Sequence, residues 1–408
     1  MDLQHPRCAG LDVHKDTVVA SVRIASGRAA THEVRTFGTT TRELLGLVDW
    51  LTAHEVTHVA MEATGVYWKP VWHILESHFE LVLGNAMHIK NVPGRKSDVN
   101  DATWISDLLA HGLISGSFVP PEPIQDLRQL TRTRKQLTKE IGQHTMRIQK
   151  TLEDANIKLS SVITDTVGGT GRAILDALIA GETDPVRLAA LAQGSVVRKR
   201  DALIEALHGR VTSTHRILLK THLGQIRTLE DAIRELEGEM ATLIEPFRAK
   251  IRRLTSIPGV KETAALVIAA EIGFDMSHFP TAAHLISWAC LCPRMDESAG
   301  KKKSTRVRRG ANWLKPLLVQ AAWAAARKKD GYLRAQFLRI KSRRGPKKAI
   351  LAVAASILTA VYYILRDDVD YRDLGADYFD RQNKERVALR LARRIQELGY
   401  QVEMRPAA

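Results

Sequence analysis

The chain has 408 residues, 45% of them hydrophobic and 26% charged, and carries a formal charge of +15. That length exceeds what a single hydrophobic core organises, and the composition excludes a disordered chain and a disulfide-stapled scaffold. The cationic surplus points to a polyanionic partner, and it is unevenly spread: residues 1–110 hold 10 Lys and Arg against 13 Asp and Glu, so an acidic front precedes a strongly basic body.

The first 110 residues alternate with strand period. "CAGLDV", "TVVASVRI" and "HEVRTF" read as three adjoining strands. "TTTRELLGLVDWLTAH" then switches to a helical stripe of Leu44, Leu47, Val48 and Leu51, with Thr40 and Glu43 at the spacing of a capping box. "VTHVAME" is a fourth strand, "VYWKPVWHILESH" a helix and "ELVLGN" a fifth strand. A last helix carries Ile105, Leu108 and Leu109 on its apolar face. The order βββαβαβα resembles a ribonuclease-H-like (RuvC-like) α/β fold. In that fold the first and fourth strands lie side by side, which brings Asp12 and Glu62 to one edge of the sheet.

The stretch "GRKSDVNDATW" sets Asp98 and Asp101 three residues apart, on one face if the segment is helical. One reading makes Ser97 an N-cap and both aspartates ordinary first-turn acids facing the positive end of the helix dipole. The other reads them with Asp12 and Glu62 as four convergent carboxylates, the oxygen donors that Mg²⁺ takes alongside water and substrate phosphate. Singly, each acid suits a solvated surface; the placement of the set at strand ends and a helix start favours the metal site.

After "VPPEP" the texture becomes helical. Ile226, Leu229, Ile233, Leu236, Met240, Leu243 and Phe247 step by threes and fours, and residues 124–160 show a looser seam. This spacing predicts two long helices pairing as a coiled coil, within a chain or between protomers. "TDTVGGTGRAILDALIAGETDP" lacks the Lys-Ser/Thr ending of a phosphate loop and reads as a helix–turn connection. "RRLTSIPGVKETAALVIAAEIG" resembles a helix-hairpin-helix, whose Gly turn at Gly259 and following Lys261 would meet a phosphate backbone; an ordinary αα-turn is the alternative. Between Lys301 and Arg309 six of nine residues are basic (Lys301, Lys302, Lys303, Arg306, Arg308, Arg309), and "RIKSRRGPKK" has six of ten. Both runs suit a phosphate-facing surface. Ser298 lies in a small-residue loop ahead of the first run. "AILAVAASILTAVYYIL" is uncharged over 17 residues, short of the roughly 20 that span a bilayer, and is expected to be a buried helix. No membrane association is expected. Cys8, Cys290 and Cys292 form no CxxC pair, and no secretory signal opens the chain, so a reducing, cytoplasmic setting is expected.

"GLDVHKD", "MEATGVYW", "KSDVNDATWISDLL", "IPGVKETAALVIAAEIG" and "ESAGKKKSTRVRRGANWLKPLLVQAAWAA" occur in an order that resembles the DEDD transposases of insertion-sequence family one-ten. The resemblance is strongest over about residues 8–112 and 252–330. It implies a RuvC-like DEDD catalytic domain over 1–118, a long-helix oligomerisation region over 124–248, a helical transposase domain over 250–370 and a tail helix over 371–408. The family's four metal-binding acids fall on Asp12, Glu62, Asp98 and Asp101, with Mg²⁺ as cofactor and Mn²⁺ as an alternative. Its nucleophilic serine falls on Ser298, in Glu297-Ser298-Ala299-Gly300 where many relatives have Ser-Ser-Gly-Gly, and Ser304 is a lesser substitute. The resemblance further implies a recombinase that moves its own element, guided by a structured bridge RNA pairing with donor and target DNA. It also implies a homotetramer in which the acids of one subunit act with the serine of another. A hydrolytic nuclease of the Holliday-junction-resolvase kind and a non-catalytic nucleic-acid-binding protein are the competing readings.

Overall fold

Period-2 alternation in the N-terminal residues produces strands with two differently occupied faces, and this sorts everything packed on them. In the computed structural model β1 (Arg7–Val13), β2 (Thr17–Ser26), β3 (Ala29–Gly38), β4 (His58–Glu62) and β5 (Glu80–Gly84) form one sheet in the order β3-β2-β1-β4-β5. The first three strands are antiparallel; β1, β4 and β5 run parallel, with Gly10 opposite Ala60 and Leu11 opposite Met61. The mixed sheet and its strand order are compatible with a ribonuclease-H-like unit. Residues 3–26, 29–63, 65–86, 89, 101–294, 296–304, 306–382 and 384–404 are described. They divide into two units, Met1–Val119 and Pro120–Ala408.

Within the first unit, the odd positions Ala9, Leu11 and Val13 of β1 enter a core with Leu44, Leu47 and Leu51 of α1 (Thr41–Ala53) and with Val71 and Leu75 of α2 (Trp68–Leu75). The even side faces α3 (Asp101–Ala110): Cys8 and Ala60 share a second core with Ile105, Leu108 and Leu109. Asp12 has the parity of Cys8. Thr40 does occupy the N-cap of α1 with extended backbone, but its side chain makes no capping bond. The stem of Glu43 packs over Gly38 instead of reaching back, so the expected capping box is not formed.

The second unit is helical. Its frame is an antiparallel pair, α4 (Glu122–Asp154) and the helix over Ser213–Ile244, joined at the far end by α5 (Leu159–Val162), α6 (Gly169–Ala180), α7 (Pro185–Ala189) and α8 (Arg200–Ala206); the return helix is α9. Three cross-links fix its direction: Arg134 to Glu237 at 2.7 Å, His144 to His222 at 3.2 Å and His215 to Asp154 at 2.9 Å. The two long helices therefore pair within one chain, as a helical hairpin. At the far end Ile148, Leu152, Ile174, Leu175, Leu203 and Leu219 close a cap. Midway, Leu229, Ile233 and Leu236 are only half-buried, as a two-helix waist dictates.

At the base lie α10 (Arg248–Thr255), α11 (Glu262–Ile272), α12 (Ala282–Trp288), the hairpin β6 (Asp296–Ser298) and β7 (Lys301–Ser304), α13 (Leu314–Arg327), α14 (Tyr332–Arg344), α15 (Pro346–Asp367), α16 (Tyr378–Arg381) and α17 (Lys384–Gln396). The apolar run at 349–365 is α15. It is the one helix among the described residues long and apolar enough to cross a membrane, but Val353, Ile357, Leu358 and Val361 are sealed in the base core with α11 and α13.

Candidate active site

Asp12 is the penultimate residue of β1, Glu62 the last of β4 and Asp101 the first of α3. Because β1 and β4 are parallel neighbours in register, equivalent ends of both strands reach the same edge, and both acids lie on the side covered by α3. Their proximity is electrostatic as well as topological. Burial pushes the Asp12 carboxyl above its ordinary range, Asp101 and Glu62 push it further, and His14 at 3.2 Å pulls it back. Asp98 lies outside the described residues. Among the described residues no three His, Cys, Asp or Glu side chains are grouped tightly enough to hold a metal ion. The donor set is nevertheless all carboxylate, the hard-oxygen chemistry of Mg²⁺ or Mn²⁺, and its mutual repulsion is of the kind that a cation relieves.

What holds Asp101 here is the seat of α3. Gly10 lies under the helix: a Cβ at that position would stand 3.0 Å from the Ile105 carbonyl carbon and closer still to Ala102 O and Ser106 N. Glycine is required for this close approach. Around it, the Thr103 hydroxyl donates to Ser21 Oγ at 3.2 Å, and Asp107 accepts from Arg23 at 2.9 Å and bonds His32 at 3.0 Å. Asp107, a third acid of the same sequence stretch, thus anchors the helix to β2 and β3. Burial pushes the neighbouring Cys8 thiol up to about 12, so it is an inert core group. His14 was not singled out by the sequence. Its contact with Asp12 arises where the chain reverses after β1, His14 N–H donating to Thr17 O at 2.9 Å.

Ser298 belongs to the second unit. It is the last residue of β6, paired with Lys301, and the turn between them is the two residues Ala299 and Gly300 at φ 51° and 74°. The expected loop is therefore a tight hairpin with the left-handed pair of a type I′ turn. Lys302 and Lys303 are placed by their backbone in β7, and Lys301, Arg306, Arg308 and Arg309 are exposed. Ser304 closes β7 and its hydroxyl accepts from Arg306 N–H at 3.2 Å. The basic stretch folds back on the hairpin's own approach, with Arg294 N–H donating to Arg306 O at 2.9 Å and Pro293 bridging Val307. Just beyond, Trp313 lies under Arg132 at 5.4 Å and Lys135 at 5.2 Å. Arg132 forms a two-pronged pair with the buried Glu271 at 2.8 Å on each prong, and Arg128 donates to the carbonyls of Ala270 and Glu271. This cluster ties the hairpin's exit to α4 and α11.

Gly259 sits in the turn between α10 and α11 at φ 85°, against the backbone of α13 at Ala321 and Ala325. The glycine expected to meet phosphate thus also has a packing duty. Lys261 is exposed at the N-cap of α11.

Residues 9–157 match the family model for DEDD transposases of the IS110 type, described as a transposase, and residues 251–338 match the model described as the transposase IS116/IS110/IS902 family. The chain is similar to the insertion element IS110 uncharacterized 43.6 kDa protein of Streptomyces coelicolor, 30% identical over 162 residues. That alignment spans 39% of each chain, less than half the length of this relative.

Proposed function

The chain belongs to the IS110 family of DEDD transposases, and from that premise we propose that it breaks and rejoins DNA strands to move its own insertion element, guided by a bridge RNA. The observation that carries the reading is that β1 and β4 end side by side with Asp12 and Glu62 on the face covered by the helix that Asp101 opens, Glu62 and Asp101 being near enough for both to raise the Asp12 carboxyl.

In this reading Asp12, Glu62, Asp98 and Asp101 hold a divalent cation, which when bound supplies Lewis-acid stabilisation of charge on the scissile phosphate. Ser298 Oγ attacks the phosphorus, the bond to the 3′ oxygen breaks and the DNA 5′ phosphate is kept as a seryl ester. The hydroxyl proton leaves with the departing 3′ oxygen. Reversal by a new 3′ hydroxyl restores Ser298 and joins the strands without external energy. Lys301, Lys302, Lys303, Arg306, Arg308 and Arg309 supply the positive surroundings that favour serine ionisation and stabilise the five-coordinate phosphorus. Lys261 and the Gly259 turn grip phosphate further along the duplex. Sequence choice is delegated to base pairing by the RNA, and the acids of one subunit of a tetramer act with the serine of another.

The test is recovery of protein–DNA adducts on a denaturing gel. Purified protein is incubated with Mg²⁺, the RNA flanking its element, and donor and target duplexes; Asp12→Ala, Ser298→Ala and omission of the RNA are run alongside. An adduct that needs both residues and the RNA supports the reading. Free cleavage products that persist in Ser298→Ala, with no adduct in any lane, replace it with a hydrolytic nuclease.

A further inference from the structure

The basic run "RIKSRRGPKK" is not used by the reaction above, and the structure gives it a counterpart. Arg339 and Arg343 are four apart on α14, Arg386 and Arg390 four apart on α17, so each pair occupies one face of its helix. All four line a single cavity of about 720 Å³ between the two helices, with Phe379 and the single acid Asp380. Four guanidinium groups around one space repel each other unless something anionic joins them.

Several arginines of the second unit are paired: Arg132 with Glu271, Arg134 with Glu237, Arg172 with Glu230, Arg227 with Asp176, Arg253 with Asp368 and Arg381 with Asp377. Among the described residues, none of Arg339, Arg343, Arg386 and Arg390 has a carboxylate within ion-pair distance, although Asp380 lines the same cavity. One of the four is held in position: the Arg339 guanidinium lies 4.9 Å over the Phe379 ring, which stacks on Tyr332 at 5.3 Å. A solvated surface does not require an aromatic support under a cation or two helices facing their arginines into one groove.

We propose that this groove is a second nucleic-acid site, in which Arg339, Arg343, Arg386 and Arg390 take successive phosphates of a phosphodiester backbone. Planar guanidinium forks match phosphate oxygens in pairs, and such contacts fix register without reading sequence. The backbone belongs to RNA or to DNA, which share this chemistry. The site uses neither the sheet-edge acids nor Ser298, so it stands apart from the proposed reaction.

The experiment measures binding of full-length protein to a random-sequence DNA duplex and to an RNA duplex of equal length, by fluorescence anisotropy across about 50–200 mM salt. The variants are Arg386→Gln/Arg390→Gln, the same pair combined with Arg339→Gln/Arg343→Gln, and a control on the cap that matches the first in charge loss, Arg198→Gln/Arg200→Gln. All the substituted α17 and control side chains are exposed, and thermal melts verify folding. The expected result is a salt slope reduced by about 0.9 for each groove arginine removed on duplex DNA, with the control unchanged. Loss confined to the RNA probe assigns the backbone to RNA, and loss confined to DNA assigns it to DNA. Equal loss in groove and control variants, or no loss with either probe, overturns the site. Asp12→Ala, which tests the reaction, leaves these slopes as they are.

Discussion

Gly10→Ala adds one methyl group at the point where β1 meets α3, and its consequence can be worked out from the packing. The new Cβ would stand 3.0 Å from the Ile105 carbonyl carbon and nearer to Ala102 O and Ser106 N, all backbone atoms of α3. Ordinary carbon contacts lie at about 3.5–4.0 Å, so the helix must retreat by roughly 1 Å or more, because no flexible side chain can yield in its place. Overpacking of this kind costs about 1–3 kcal/mol. The retreat also strains the Thr103–Ser21 and Asp107–Arg23 bonds and carries Asp101 away from Asp12. Gly46→Ala is the matched opposite: Gly46 is interior to α1 and a Cβ there meets nothing within 4 Å. Replacing that helical glycine stabilises by about 0.8–1 kcal/mol. Hydrogen exchange followed by mass spectrometry on the full chain separates the two. Amides of α3 exchange faster in Gly10→Ala, amides of α1 exchange more slowly in Gly46→Ala, and adduct formation falls only in the former. If Gly10→Ala leaves α3 protection and adduct yield at wild-type level, the seat of α3 does not position the acid.

Glu271→Gln leaves Arg132 without its carboxylate and is expected to cost about 2 kcal/mol in urea unfolding, below the 3–5 of a fully buried pair because Arg132 reaches water; a change under about 0.5 kcal/mol refutes the cluster's role. Ala299→Gly removes a left-handed alanine at φ 51°, stabilising the Ser298 hairpin by about 1 kcal/mol, read as slower amide exchange over residues 296–304. His222 is held below its ordinary pKa of 6.5, first by burial and then by the positive fields of His144 and Arg147. The fold therefore favours the neutral ring: this stability is complete above pH 6.5 and is lost as pH falls from there toward the lowered folded value. Thermal melts between about pH 8 and 5 are expected to show that loss in wild type and less of it in His222→Leu; parallel curves refute it.

The strands were legible because alternation is a property of neighbours, whereas the side-by-side placement of β1 and β4 was implied by the resemblance to the ribonuclease-H-like fold, and the ends of two parallel neighbours share an edge. Asp12 and Glu62 could thus be placed from sequence. The role of Gly10 could not, since it depends on a helix ninety residues later. The contact of His14 was equally hidden, because it depends on how the chain turns after β1. The heptad seam announced two long helices but not their partner, because a hole formed by the same chain and one formed by another accept the same knob. Thr40 and Glu43 had the spacing of a capping box, yet packing of the Glu43 stem on Gly38 took precedence over a bond worth little at the surface. The i,i+4 spacing of Arg339/Arg343 and Arg386/Arg390 was also present in the sequence. Their opposition across one groove was not, since nothing in the intervening residues encodes which faces meet.

Charge is divided between the two units: the sheet-edge acids lie in the first, and Ser298 with the dense basic runs lies in the second. An acidic edge of three or four carboxylates repels a phosphodiester, and over the first 110 residues acids outnumber Lys and Arg. The second unit carries two concentrations of cations, the exposed residues after Ser298 and the groove of α14 and α17. The two sets are held differently. The hairpin is pinned through Trp313 and the Arg132–Glu271 pair to the base of the helical frame, while Arg339 is fixed by an aromatic stack. Because the two sets are mounted independently, the proposal that the groove retains one nucleic-acid segment while Ser298 acts on another requires that groove substitutions weaken binding without displacing the hairpin.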